Sequence, residues 1–179
     1  MKATGIVRRV DSLGRVVIPK EIRHTLRIQE GVPLEIYTDR DGSVTFRKYS
    51  PLGDLQEFAV QICAAIRENT GCICAIADRD TVLAVSGAAR KELVERPGSR
   101  ALDRLLETRK CYSFSPEAEK IPLTDLGDGY LLSLMAPVIS QGDLMGCVMT
   151  LQEEPCRIPR PEHLLVIRTV ADFLGRQME

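Results

Sequence analysis

The fifty residues that end at Ser50, before Pro51, hold four short β-rich runs and one helical segment of two turns. That is too little apolar surface to fold alone, and domains of this size rely on disulfides, metals or a partner chain. The runs are GIVRRV, a DSLG turn and RVVIP, then LEIYT, a DRDG turn and SVTFRK. Between the two hairpins a short helix is expected, with Pro19 at its first position, Glu21 at the positive end of its dipole, and Ile22 and Leu26 on one stripe. With no staple in sight, dimerisation is the physical expectation. Proline disfavours helix at the residue before it and starts one readily itself, so the domains are read as 1–50 and 51–179.

Charge separates the same two parts. The chain has a net charge of −1, but residues 1–50 carry ten Lys and Arg against six acids, a net of +4 that leaves −5 on the other 129 residues. A basic head on an acidic body suits a polyanion-binding role for the head. If DSLG is a four-residue loop, Val10 faces Arg15, Arg9 faces Val16 and Arg8 faces Val17. Arg8 and Arg15 then project from one side and Arg9 from the other. Arg23 and Arg27 are i,i+4 neighbours on the short helix, placed to extend that patch, with His24 beside them. Guanidinium groups are always charged and present paired donors to phosphate oxygens or guanine edges. A few surface arginines that only keep a protein soluble are the plain alternative.

The wording KATGIVRRVDSLGRVVIPKEIRHTLRI, continued in GVPLEIYTDRDG and FRKY, resembles the AbrB-like transition-state regulators over nearly all of residues 1–50. The resemblance implies a dimeric swapped-hairpin β-barrel, in which two chains interleave to bind double-stranded DNA. It places DNA-contacting arginines at Arg8, Arg15 and Arg23 and a fourth basic position at His24, an imidazole mostly uncharged at neutral pH. Lys2 and Arg9 complete the expected DNA-binding set.

Downstream, 51–69 is expected as an amphipathic helix with Leu52, Leu55, Phe58 or Ala59, Ile62 and Ile66 on one side. CICAIADRDTVLAVSG is expected as a hairpin, a helix follows Ser99 with Leu102, Leu105 and Leu106 inward, and YLLSLMAPVIS, QGD and LMGCVMTL form strand, turn and strand. A last helix, 161–178, aligns Leu164, Ile167, Val170 or Ala171, Leu174 and Met178. The class is α+β with an antiparallel sheet. The order of elements, through the closing FLGRQME, is similar to sporulation regulators that join such a head to a GAF-like domain. That implies a transcriptional activator or repressor of sporulation genes, a homodimer through the head, a homotetramer through the C-terminal domain, and a body able to hold an unknown small-molecule ligand. Both helix stripes have spacings near 3.5 that suit a symmetric bundle, although a single stripe more often covers its own sheet.

The longest charge-free stretch, 129–142, is too short to cross a bilayer, and the start MKATGIVRRV lacks a continuous apolar signal segment, so cytoplasmic residence is expected. Six scattered cysteines contain no C-x-x-C knuckle, so no metal or cofactor is expected, and Cys63, Cys72, Cys74 and Cys147 are read as buried small hydrophobes. His24 and His163 have no nucleophile or carboxylate at a recognisable spacing, and no catalytic site is expected. Two other roles stay open. One is a small-molecule sensor whose ligand controls DNA affinity. The other is an antitoxin-like protein-binding barrel, against which stands the lack of a disordered tail.

Overall fold

A computed structural model describes residues 5–26, 28, 30–88, 90–126 and 129–178, with the side chains of 90 and 91 outside the description. Lys2 and Arg27 therefore lie outside the described residues. The chain forms two compact units, Met1–Tyr49 and Ser50–Glu179.

In the first unit, Pro19 caps helix α1 (Lys20–Thr25) from outside rather than occupying its first turn. No residue of α1 is buried. Strands β1 (Leu34–Thr38) and β2 (Val44–Lys48) pair antiparallel, with Ile36 opposite Phe46. Asp39 and Gly42 close the turn between them, as the DRDG signal predicts. The GIVRRV and RVVIP runs form a hydrogen-bonded turn but no ladder. A two-stranded hairpin with no third element to pack on is marginal in water, and here Val7 and Val17 are 83% and 72% exposed.

The second unit begins with a 3-10 turn at Gly53–Leu55 and continues into α2 (Gln56–Thr70), which starts later than the sequence suggests. Gly71 ends α2 in the left-handed conformation, φ 72°, which only glycine adopts without strain. Then follow β3 (Ile73–Asp78), β4 (Val82–Ser86), α3 (Arg90–Leu93), α4 (Arg100–Glu107), β5 (Tyr112–Ser113), β6 (Leu131–Ser140), β7 (Asp143–Gln152) and α5 (Pro161–Gln177). The strands make one five-stranded antiparallel sheet in the order β4-β3-β7-β6-β5. Ser99 starts α4 as expected: its Oγ accepts from Leu102 N at 3.0 Å and donates to the Pro122 carbonyl at 2.7 Å.

The sheet is buried on both faces, which is why its strands read as continuous apolar runs. On one face Cys74, Ile76, Leu134, Val138 and Val148 pack with Ala59 and Cys63 of α2 and Ile167, Ala171 and Leu174 of α5. On the other, Ala75, Ala77, Met135, Cys147 and Met149 pack with Leu93, Leu102, Leu106 and Leu123. Much of both stripes thus covers the unit's own sheet. Phe58 and Phe173 remain exposed on the outer side, their ring centroids 6.2 Å apart.

Two glycines let backbones approach closely. A Cβ on Gly146 would lie 2.1 Å from the Ala77 carbonyl oxygen and 2.8 Å from Leu52 Cδ2. One on Gly175 would lie 2.2 Å from the Ile139 carbonyl oxygen, so α5 rests directly on β6.

Candidate nucleic-acid interface

The turn joining GIVRRV to RVVIP is built by Asp11. Gly14 N donates to the Asp11 carbonyl at 3.0 Å, and Asp11 N donates to the Arg15 carbonyl at 3.1 Å. With Gly14 at φ 76°, this is a three-residue loop with a glycine bulge. The Asp11 carboxylate accepts from Leu13 N at 2.9 Å and Arg15 N at 2.8 Å through Oδ1, and from Arg15 Nε at 2.7 Å through Oδ2.

Arg15 is therefore opposite Asp11, not Val10, one residue tighter than a four-residue loop would give. The Asp11–Arg15 ion pair confirms that these two side chains share a face. A ladder propagated from this pair sets Arg9 on the face of Arg15 and Arg8 on the other, the reverse of the sequence-based register. No ladder hydrogen bonds impose that alternation among the described residues of these runs. Arg8 instead turns its Nη1 to the neighbouring Val7 carbonyl, at 3.1 Å.

Arg8, Arg9, Arg15, Arg23 and His24 are all exposed. Arg23 and His24 lie in the last turn of α1, where cations complement the helix dipole. Arg15 Nε is occupied by Asp11, which holds the guanidinium in place while its Nη1 and Nη2 edge stays available. Asp11 is the residue that sequence reasoning undervalued. Its signal was an Asp that opens a turn and precedes Arg by four residues.

The Arg15 backbone amide, and after it the Arg15 guanidinium, hold the Asp11 carboxyl below its ordinary value of 3.8. A depressed carboxyl stabilises the turn above the ordinary value, and that contribution is lost as pH falls through the depressed one. The Leu13 and Arg15 amide resonances are accordingly expected to stay in place from neutral pH to 3.8 and to move only below it. Movement well above that value would contradict the assignment.

The thiols differ from expectation at one position. Cys63, Cys74 and Cys147 are buried, but Cys72 is half-buried, and its Sγ lies 3.3 Å from Nδ1 of His163. His163 does have a nucleophile beside it, 91 residues away in the chain. Among the described residues no group of three or more His, Cys, Asp or Glu is arranged to hold a metal. No described helix is long and apolar enough to cross a membrane.

Comparison with known proteins matches residues 54–179 to the family described as stage V sporulation protein T C-terminal, transcription factor. Residues 7–54 match the family described as antidote-toxin recognition MazE, bacterial antitoxin. Stage V sporulation protein T of Bacillus subtilis (strain 168) is 44% identical over 180 residues, covering 100% of this chain and 99% of that protein. The transition state regulatory protein AbrB of the same organism is 61% identical over 51 residues, 28% of this chain and 52% of that protein. Among solved structures, the GAF domain of an Acinetobacter phosphoenolpyruvate-protein phosphotransferase superposes with a TM-score of 0.52 at 12% identity, covering 69% of this chain and 81% of that one. At that identity the likeness gives the fold, which is GAF-like. With an AbrB-like head, a GAF-like body and a relative matched from end to end, the chain belongs to the stage V sporulation protein T family of transcription factors.

Proposed function

We propose that this transcription factor binds double-stranded DNA in the cytoplasm through a swapped dimer of its head, acts on sporulation genes without an enzymatic activity of its own, and reads DNA with Arg15 at the centre of the contact. The observation that carries this reading is the Asp11–Arg15 pair. A tight glycine-bulged turn presents a guanidinium whose Nε is held at 2.7 Å while its outer edge is open. That edge suits the O6 and N7 acceptors of guanine or a phosphate. Arg8, Arg23, Arg9, Lys2 and His24 supply the flanking contacts, with His24 the weakest because an imidazole lacks the paired donors of a guanidinium.

Dimerisation follows from the exposed valines of the first unit. Val7, Val10, Val16 and Val17 are exposed on two runs that form no strand among the described residues, and a second copy would cover them. The outer apolar side of α2 and α5, with Phe58, Leu165 and Phe173, supports pairing of dimers into a tetramer.

The test is duplex binding by the full chain across a salt series. Log affinity is expected to fall linearly with log salt, by about 0.9 for each phosphate contacted. Binding that ignores salt would remove the arginine-centred reading.

A further inference from the structure

Thiols and an imidazole converge where α2 ends, β3 begins and the first turn of α5 passes. Cys72 directly follows Gly71, the residue that caps α2. Its backbone N donates to Thr70 Oγ1 at 3.1 Å. Its Sγ faces His163 Nδ1 at 3.3 Å and has a longer contact, 3.8 Å, with the Thr70 carbonyl. His163 belongs to the first turn of the 17-residue helix α5, whose positive end favours an anion nearby.

The other thiols are differently placed. Cys63 and Cys74 are buried beside each other, and the hydrogen bond the Cys74 thiol donates to Cys63, with burial, pushes the Cys74 thiol well up. Burial pushes Cys147 up to about 12. These three are held as inert thiols. Cys111 is exposed and Cys156 half-buried, and neither has an imidazole against it among the described residues. Thr150, opposite Cys74 in the β3–β7 register, keeps a buried hydroxyl with no hydrogen-bond partner among the described residues.

We propose that Cys72, with His163 as its base, is a modification site for small hydroperoxides. In the tautomer protonated at Nε2, His163 Nδ1 takes the Cys72 thiol proton. With hydrogen peroxide, Sγ attacks one oxygen, an S–O bond forms as the O–O bond breaks, and the departing hydroxide takes the proton from the imidazolium and leaves as water; an alkyl hydroperoxide loses its alkoxide as the alcohol in the same way. Cys72 is oxidised to the sulfenic acid and the peroxide is reduced. Half-burial admits hydrogen peroxide and excludes bulky oxidants.

The experiment treats the full-length protein with hydrogen peroxide in the presence of dimedone and follows adduct formation at each cysteine by mass spectrometry. Cys72 is expected to react about tenfold faster than the more exposed Cys111, below the roughly hundredfold that an optimally placed base contributes. In His163→Gln the Cys72 rate is expected to fall to that of Cys111 while Cys111 is unchanged. Cys72 reacting no faster than Cys111 in the parent protein would overturn the site, and a Cys72 rate unaltered in His163→Gln would overturn the role of the base. If that variant unfolds, Cys63, Cys74 and Cys147 become labelled as well, and the parent ratio decides alone.

Discussion

Arg15→Ala is expected to lower affinity for duplex DNA roughly a hundredfold, because one arginine contact contributes about 1–3 kcal/mol and a dimer loses two at once. The head itself should be unchanged. The turn is held by the Asp11 carboxylate on the backbone amides of Leu13 and Arg15, and alanine keeps both. Electrophoretic or fluorescence titration at fixed salt measures the loss, and parent-like binding would show that the turn faces away from DNA. Arg15→Lys separates two kinds of contact. Lysine restores a phosphate contact but lacks the planar fork that reads guanine, and it cannot reproduce the Nε bond to Asp11. The pair Arg8→Ala and Arg9→Ala then settles the register: a ladder extended from Asp11–Arg15 makes Arg9 the more damaging loss, whereas the family resemblance favours Arg8.

The second large effect is on stability. Gly146→Ala is expected to destabilise the second unit by about 3 kcal/mol, at the upper end of ordinary overpacking, with a drop in Tm of about 10 °C. The added methyl meets the backbone of Ala77 and Asp78, which a rotamer change cannot move, as well as Leu52 Cδ2. Differential scanning calorimetry on the full chain reads this directly. An unchanged transition would mean that β3 and β7 separate at Gly146 without cost.

Much of the second unit was legible because its strands and helices are long enough to show a period. The β3–β4 and β6–β7 hairpins, α4 with its Ser99 cap, and α5 all follow from apolar spacing and turn residues. The two-residue β5 and four-residue α3 are too short to carry a period and went unseen. In the head, the loop came out one residue shorter than the DSLG reading because Gly14 takes a positive φ and forms a bulge. Carried along a ladder, that shift would exchange the faces of Arg8 and Arg9, so the conformation of a single glycine bears on which arginine accompanies Arg15. Cys72 and His163 had no sequence signal at all: what joins them is the packing of α5 beside the start of β3. Cys72 was expected to be buried with the other thiols, yet it follows the Gly71 cap, where the chain is only half covered.

Leu52 has a consequence of another kind. Tyr49 is tied into the head by its N–H to the Pro33 carbonyl, and Leu52, wholly buried, is already part of the body. Ser50 also belongs to the body, its carbonyl accepting from Asp54 N at 3.2 Å and its Oγ from Gly53 N at 3.0 Å, so the leash is little more than the Tyr49–Ser50 peptide bond. In the dimer proposed for the head, two chains would hold their bodies at an effective concentration in the millimolar range, as short tethers do. Self-association of the bodies with a Kd below that concentration would then be favoured in the whole protein, and a flexible insert between Tyr49 and Ser50 would dilute it while keeping the Tyr49–Pro33, Ser50–Gly53 and Ser50–Asp54 hydrogen bonds.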